Sequence, residues 1–326
     1  MEQLAADRRA SAALSADSNG VPAHRRFRLF AWGVLAYNLL VILWGALVRA
    51  TGSGAGCGGH WPLCNGDVLP DVSQIGTVIE LTHRVMSGLA LLLVIAMFAV
   101  ARKTYPPRHA ARRWAAWSLV FILTEALLGA SLVLLGHVAS NESVGRVYSL
   151  STHLVNTFLL LASLALAAWS AIAPLDLRPT QWLSLSIAGP LAALVLVAVA
   201  GAITALGDTL FPSHTLTEGL RDDFSSTASF LIRLRIIHPF LAIAAGFLIA
   251  MVAVPEYRTP STHLLRRLSG GLLALLAAQI AIGGASILLH APVPMQLLHL
   301  LIADAIWITL VLFTAESSCA RALVRQ

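Results

Sequence analysis

The sequence predicts an all-α integral membrane protein. Its eight transmembrane helices are expected to form two similar four-helix bundles, related by a pseudo-two-fold axis along the membrane normal. Three observations predict this fold: the composition, the apolar runs and a repeat between the two halves of the chain. Of the 326 residues, 57% are hydrophobic and 12% are charged, whereas soluble globular proteins carry about 25% charged residues. This composition excludes a disordered chain, a disulfide scaffold and an ordinary soluble enzyme.

Eight apolar runs are each long enough to cross a bilayer, which requires about 20 helical residues. They lie near 29–49, 77–100, 114–136, 149–172, 183–205, 230–253, 268–289 and 294–315. No short apolar segment with a cleavage site precedes them, so we expect the first span to be retained. The predicted divisions are a cytoplasmic tail at 1–27, a first half at 28–173, a cytoplasmic linker at 174–182, a second half at 183–316 and a second tail at 317–326.

The net charge of +6 marks the orientation of the chain and does not indicate nucleic-acid binding. All but one of the 22 basic residues are arginines, and most lie in the two tails and in the loops 102–113 and 255–267. Positive residues concentrate on the cytoplasmic side of a membrane. We therefore expect a multi-pass protein of the plasma membrane, with the lipid bilayer as its surroundings and both termini in the cytoplasm.

The two halves of the chain repeat the same short motifs in the same order. Because each half contains an even number of spans, the repeat is parallel, with both halves inserted in the same direction. The matches are Gly45-Ala46-Leu47 with Gly201-Ala202-Ile203, His83 with His238, Gly129-Ala130-Ser131 with Gly284-Ala285-Ser286, and His153 with His299.

Each half places one histidine near the outer end of each even-numbered span, roughly 5–15 Å below the membrane surface. Two facing imidazoles inside a four-helix bundle suit axial ligation of a haem iron. His83 with His153, and His238 with His299, are therefore the candidate ligand pairs. One alternative is hydrogen bonding between helices. Another is a metal site without a porphyrin, for which neither pair has a carboxylate or cysteine to complete a tetrahedral set.

Glu80 precedes His83 by one helical turn, and Arg84 follows His83 directly. An ionisable group inside a span is costly and marks a candidate functional site. Glu80 is either one partner of an ion pair with Arg84 or a proton-transfer group beside a bound ligand. The equivalent positions in the second half are Arg235 and Pro239. This difference favours chemistry in the first half and a retained cofactor in the second.

Four further residues outside these pairs have predicted structural roles. Glu125 and Asp304 are acids within spans, and both are expected to make contacts between helices. Cys57 and Cys64 lie in an outward, glycine-rich loop, where an oxidising exterior allows a disulfide. That disulfide would act either as a staple for the loop or as a redox-active pair, and the staple is slightly favoured.

Together these features resemble the haem A synthase family, the membrane enzymes of cytochrome oxidase assembly. The resemblance covers essentially the whole chain after the tail. The residues that carry it are Gly45-Ala46-Leu47-Val48-Arg49-Ala50-Thr51-Gly52-Ser53-Gly54, Cys57, Trp61-Pro62-Leu63-Cys64, the Glu80-x-x-His83-Arg84 motif, and the single histidines of the fourth, sixth and eighth spans.

The resemblance implies a haem b cofactor with His238 and His299 as axial ligands. It also implies that the substrate haem O binds in the first half at His83 and His153, where Arg84 contributes and Glu80 is the catalytic carboxylate. The reaction converts the C8 methyl of haem O to a formyl group by two successive hydroxylations, the second giving a diol that loses water. Haem O synthase and cytochrome oxidase assembly proteins are the implied partners.

Three other functions fit parts of the sequence. The first is a di-haem b-type electron carrier, but both haems would then lie near the outer face, whereas transmembrane transfer needs one near each face. The second is a haem transporter or chaperone. The third is the farnesyl transferase that makes haem O, which is disfavoured because Asp222-Asp223 is only an isolated acidic pair. The second half also departs from a paired-cysteine pattern, since its loop 206–229 is acidic and has no cysteines.

Overall fold

The computed structural model describes residues 22–171, 185–213, 215–225 and 227–324. Within these ranges the chain is helical and contains no strand, apart from one isolated bridge between Cys64 and Asp67. Eight helical segments are long and apolar enough to cross a membrane, as predicted. The tail at 1–21 and the linker at 174–182 lie outside the described residues.

The helices are generally longer than the predicted apolar runs. The first span begins at Ala23, ahead of the predicted residue 29. Their bounds are Ala23–Ala50, Ile75–Thr104, Ala110–Leu134, Val144–Trp169, Leu185–Leu210, Leu216–Asp223, Phe230–Leu234, Ile237–Arg258, His263–Leu288 and Val293–Val324, with a short 3₁₀ turn at Ser53–Ala55.

Side-chain caps define where three of the spans begin. Ser143 accepts a hydrogen bond from the backbone of Arg146 at the start of the fourth span, and Thr262 caps the seventh span in the same way. The His109 imidazole accepts from the Ala111 backbone N–H at 3.2 Å at the start of the third. Burial, aided by Arg113, lowers the pKa of His109, which favours the neutral ring needed for this bond.

The sixth span is interrupted, although the sequence predicts one continuous helix over 230–253. A short helix spans Phe230–Leu234, Arg235 and Ile236 form a turn, and a new helix begins at Ile237. Pro239 explains the break, because proline has no N–H to donate to the carbonyl four residues earlier, which is that of Arg235. The predicted loop 206–229 is also partly helical. The fifth span continues to Leu210, and Leu216–Asp223 forms a short helix.

Each half closes into a ring of four helices. In the first half, neighbouring contacts join spans one and two, two and three, three and four, and four and one. The same cycle of contacts joins spans five to eight. Short connections between antiparallel neighbours produce this up-down-up-down arrangement. These contacts are compatible with the predicted pair of four-helix bundles.

The first and fourth spans of one bundle meet the fifth and eighth spans of the other. Span one contacts spans five and eight, and span four contacts spans five and eight. The first span corresponds to the fifth and the fourth to the eighth. A two-fold rotation would therefore place the contact of spans one and eight on that of spans five and four. This pattern is compatible with the predicted pseudo-two-fold axis.

The fourth and eighth spans form the centre of the molecule. In the most apolar 18-residue stretch of each, 56% and 44% of the residues are buried, compared with 33% or less in the other spans. Phe158 stacks on Trp307 at 4.8 Å between ring centroids, and the Trp307 indole donates to the Phe158 carbonyl at 2.7 Å. The second, third, sixth and seventh spans carry large exposed apolar side chains such as Leu92, Leu127 and Phe240, as expected for helices that face lipid.

Candidate functional site

Each of the four predicted histidines packs against a glycine of the neighbouring span. A Cβ atom added at the glycine would lie within 3.0 Å of the imidazole in three of the four pairs, which is too close for a side chain to fit without a shift. The pairs, with the distance from the added Cβ to the imidazole Cε1, are Gly45 and His83 at 2.9 Å, Gly129 and His153 at 3.9 Å, Gly201 and His238 at 2.9 Å, and Gly283 and His299 at 3.0 Å.

The structure brings the two second-half histidines together. The ring centroids of His238 and His299 are 6.4 Å apart, with the ring planes nearly perpendicular at 79°. A metal bound to an imidazole nitrogen lies about 2.0 Å from it, and so roughly 3 Å from the ring centroid. The observed separation is therefore close to that of two rings sharing one metal atom. Both rings also keep a buried Nδ1 atom without a hydrogen-bond partner.

The first-half histidines are half-buried, and they too have buried Nδ1 atoms without hydrogen-bond partners. His153 lies beside a carboxylate, because its Nδ1 is 3.4 Å from the Glu125 Oε2 atom. Asn156 donates to the same oxygen at 2.6 Å, and the Thr157 hydroxyl donates to Oε1. The predicted contact of Glu125 between helices is therefore present.

Gln279 is a polar site residue that the sequence analysis did not identify. Its side-chain nitrogen is 3.2 Å from Nε2 of His299. Gln279 stands four residues before the glycine that faces His299, as Glu125 stands four residues before the glycine that faces His153. An amide inside an apolar span was the available signal, since polar groups in membrane spans are rare.

The contact between Gly283 and His299 corrects the register of the predicted repeat. The motif match paired Gly129 with Gly284, but Gly284 has no atom within 4 Å of an added Cβ, whereas Gly283 faces His299. The error arose because two adjacent glycines offer two alignments, and only packing distinguishes between them.

Glu80 forms an ion pair with Arg84, which is one of the two predicted alternatives. The carboxylate is buried, with 3% of the residue exposed. Its Oε1 atom lies 2.5 Å from Arg84 Nη2, and its Oε2 atom accepts from the Cys57 backbone N–H at 2.8 Å. Both oxygens are therefore occupied by contacts that hold the outer loop against the second span.

The loop above His83 is compact and closed by a disulfide between Cys57 and Cys64. Both cysteines are buried, at 0% and 1% exposure. Arg84 donates to the carbonyl of His60 at 2.7 Å and to that of Leu63 at 2.6 Å. One arginine thus joins the disulfide loop to the span that carries His83.

In the second half, Arg235 takes the place of Glu80 with the opposite charge. Its guanidinium lies 2.9 Å from an Asp208 carboxylate oxygen and 3.0 Å from an oxygen of Asp223. Burial raises the pKa of Asp223, and Arg235 opposes that rise. Arg235 therefore fastens the short outer helix that ends at Asp223 to the sixth span.

Arg49 connects the two halves at their outer ends. Its Nη1 atom donates to the Ala205 carbonyl at 2.6 Å and to the Thr209 hydroxyl at 3.0 Å. Its Nη2 atom donates to the side chain of Gln296 at 3.0 Å. Ala205 lies one turn beyond Gly201, and Gln296 lies one turn before His299, so this first-half residue braces the second-half histidine site.

Asp304 is the second acid for which the sequence predicts a contact between helices. The residue is fully buried, and neither carboxylate oxygen has a hydrogen-bond partner. Among the described residues, no group of three or more histidine, cysteine, aspartate or glutamate side chains could hold a metal ion.

Two comparisons relate this chain to known proteins. A protein of Thermus thermophilus named protoheme IX farnesyltransferase is 46% identical over 306 residues, which cover 93% of this chain and 50% of that protein. The chain thus spans about half the length of this relative. Proteins of Bacillus cereus and Bacillus anthracis named heme A synthase are 44% identical over 100 residues, which cover 31% of this chain and 32% of each of them.

The family match covers most of the chain. The family model described as cytochrome oxidase assembly protein matches residues 28–311, from the first span to the eighth. The match therefore includes both bundles and all four paired histidines. On this basis the chain belongs to the family of cytochrome oxidase assembly proteins.

Proposed function

We propose that the protein is a haem A synthase, an oxidoreductase that converts the C8 methyl of haem O to a formyl group by two successive hydroxylations. The observation that carries the proposal is the histidine pair of each half, with carboxylates at two positions of the first half that are not acidic in the second. Glu80 and Glu125 accompany His83 and His153, whereas Arg235 and Gln279 stand at the corresponding places in the second bundle.

The second bundle is the proposed site of a retained haem b, which His238 and His299 would hold through its iron. Their ring separation of 6.4 Å and their unpartnered buried Nδ1 atoms support this assignment. A bound haem b would supply one-electron redox chemistry. The protein's part is to hold the two rings at this separation, with Gly201 and Gly283 leaving room for them.

The first bundle is the proposed substrate site. His83 and His153 would bind the iron of haem O, and the Glu80–Arg84 pair would hold the loop that closes the site from the outside. As a proton-transfer group, Glu80 would first have to release either Arg84 or the Cys57 N–H, since both its oxygens are engaged. The disulfide would then act chiefly as a staple for this loop.

The cellular setting is also a proposal. Arginine-rich loops favour cytoplasmic termini in the plasma membrane, and both histidine pairs would then lie near the outer face. Haem O synthase and cytochrome oxidase assembly proteins are the proposed partners, because one makes the substrate and the others use the product.

The proposal is tested by supplying haem O. The protein is expressed in a host that makes haem O but lacks its own haem A synthase, and the extracted haems are separated by chromatography. Hydroxylated and formyl products are expected. Normal haem binding with haem O left unchanged would contradict the proposal.

Two variants test the division between the bundles. His238→Ala should remove the low-spin b-type spectrum of the resident haem, and retention of that spectrum would show that the halves are assigned the wrong way round. Glu80→Ala should keep this spectrum while conversion of haem O falls. Loss of haem b in Glu80→Ala would make Glu80 a structural residue of the cofactor site.

The printed name of the Thermus relative raises farnesyl transfer as a second candidate. That protein is about twice as long as the matched region, and its name does not say which part carries the activity. This chain has no aspartate-rich diphosphate-binding motif. Incubation with haem b and farnesyl diphosphate should therefore give no haem O.

A further inference from the structure

Glu125 is a carboxylate of the third span that is held by side chains of the fourth. It lies within the third span, where a carboxylate is costly, and its side chain is only 17% exposed. Both carboxylate oxygens accept hydrogen bonds from residues of the fourth span, which also carries His153. Asn156 and Thr157, which provide these bonds, lie three and four residues after His153 and so share its helical face.

In this arrangement the carboxylate lies next to the imidazole of His153. The Oε2 atom of Glu125 is 3.4 Å from Nδ1 of His153, just outside the usual range of about 2.7–3.2 Å for a hydrogen bond. The Nδ1 atom is buried and has no other partner. A small rotation of the ring would therefore complete the pair without disturbing either helix.

The second bundle supplies an internal comparison. Gln279 occupies the position equivalent to Glu125 and contacts His299 at 3.2 Å. The two sites thus share a polar side chain on the neighbouring span, one turn from the glycine that faces the histidine. They differ in its charge, which is a carboxylate in the first bundle and an amide in the second, and in the ring nitrogen that it approaches, which is Nδ1 in His153 and Nε2 in His299.

We infer that Glu125 is a positioning residue that orients His153 and raises its electron donation to a bound haem iron, and that the exchange of carboxylate for amide makes the two haem sites unequal. A carboxylate hydrogen-bonded to a metal-binding imidazole fixes the ring and raises its basicity. Stronger donation stabilises ferric iron, so the first-bundle haem has the lower reduction potential. This inference rests on the proposed function for the identity of the haem sites.

The test compares Glu125→Gln with Gln279→Glu in the full-length protein loaded with haem. Potentiometric titration followed by absorption spectroscopy measures both midpoint potentials, and the His238→Ala protein identifies which belongs to the first bundle. Glu125→Gln should raise the first-bundle potential and weaken haem retention there by roughly 10-fold. Gln279→Glu should lower the second-bundle potential and leave the first unchanged.

Thr124→Val is the matched control for a purely structural effect. Thr124 donates to Asn156 at 2.6 Å from the residue next to Glu125, so its loss removes a bond between the same helices and keeps the carboxylate. It should leave both potentials unchanged, and Glu125→Asp should restore part of the shift seen in Glu125→Gln. Unchanged potentials in Glu125→Gln would overturn the inference, as would equal shifts in Thr124→Val.

The outcome separates from that of the proposed function. The potentials are measured whether or not haem O is converted, so a shifted first-bundle potential without haem A formation would contradict the synthase proposal alone. Haem A formation with no shift in Glu125→Gln would contradict the inference alone. Absence of any haem in the first bundle would overturn both.

Discussion

The contact between a glycine and an imidazole is the smallest unit of this structure with a clear role. Glycine inside a helix costs roughly 1 kcal/mol relative to alanine, yet one faces each of the four histidines. In three of these pairs the added Cβ would lie within 3.0 Å of the ring. These glycines therefore set how deeply each ring can lie against the neighbouring helix, and so the direction in which it points.

Adjacent glycines of the seventh span allow a direct test of this role. Gly283→Ala should push the His299 ring out of place, since the new Cβ would lie 3.0 Å from its Cε1 atom. The expected result is reduced haem content with an altered low-spin spectrum. Gly284→Ala, which meets no atom within 4 Å, should keep the spectrum and stabilise the helix by up to about 1 kcal/mol. Equal spectra in the two variants would show that the glycine does not control the ring.

The burial of Asp304 leads to a prediction about the thermal stability of the protein. Its two oxygens are buried without partners, and an unsatisfied buried polar group costs about 1–3 kcal/mol. Asp304→Leu should therefore raise the thermal unfolding midpoint of the detergent-solubilised protein, and Asp304→Asn should change it little. Destabilisation by both variants would mean that the carboxyl group has a stabilising partner.

At the residue scale, sequence reasoning identified the histidines but not what surrounds them. A histidine in an apolar span stands out because its burial is costly. Gln279 was missed because an uncharged amide gives a weaker signal. The repeat matched Gly129 with Gly284 and not with Gly283 because spacing alone does not distinguish adjacent glycines. Such details depend on the rotation of neighbouring helices, which composition and period do not specify.

At the scale of elements, each bundle fastens an outer segment to an even-numbered span through a buried charge, with opposite polarity in the two halves. Glu80 accepts from the disulfide loop, whereas Arg235 binds Asp223 of its outer helix and Asp208 of the fifth span. Charged partners make stronger hydrogen bonds than neutral ones. The two halves therefore use different residues to hold an outer segment against an even-numbered span.

Arg84 is the residue on which the first of these segments most depends. Arg84→Gln removes the charge and most of the bonds to the carbonyls of His60 and Leu63. Amide hydrogen exchange should become faster in residues 57–66 and stay unchanged in the spans. Arg102→Gln, at the inner end of the same helix, should leave the loop protected. Unchanged exchange in Arg84→Gln would show that the disulfide alone orders the loop.

The spans themselves were largely predictable, since length and hydropathy identify helices that cross a bilayer. The break at Arg235 was not predicted, because a hydropathy profile ignores which backbone groups can donate hydrogen bonds. Pro239 carried the signal in the sequence. The short helix Leu216–Asp223 was missed for a similar reason, since it is polar and lies between two spans.

At the scale of the whole molecule, the first, fourth, fifth and eighth spans hold the bundles together. Arg49 spans this interface, and its guanidinium donates three hydrogen bonds to the second half. The repeat in the sequence predicted two parallel halves, but not which helices would meet. That choice depends on packing across the interface, such as the stack of Phe158 on Trp307.

The role of Arg49 can be measured against a second buried arginine. Arg49→Gln should lower stability by roughly 2 kcal/mol, as expected for losing hydrogen bonds from a charged donor, and should also disturb the spectrum of haem in the second bundle. Arg146 bonds only to carbonyls of its own half, those of Ala139 and Asn141. Arg146→Gln should therefore leave the second-bundle spectrum unchanged. Identical spectral effects would refute a bracing role for Arg49.

The contacts across this interface, in which span one meets span eight and span four meets span five, are compatible with the geometry of a homodimer whose two copies are joined in one chain. In a true homodimer every substitution occurs twice, so its two sites must remain identical. Once both copies lie on one chain, each position can change alone. Glu80 opposite Arg235, and Glu125 opposite Gln279, are two such changes. Covalent fusion thus allows equivalent positions of the two halves to differ, as the proposed division of tasks between them requires.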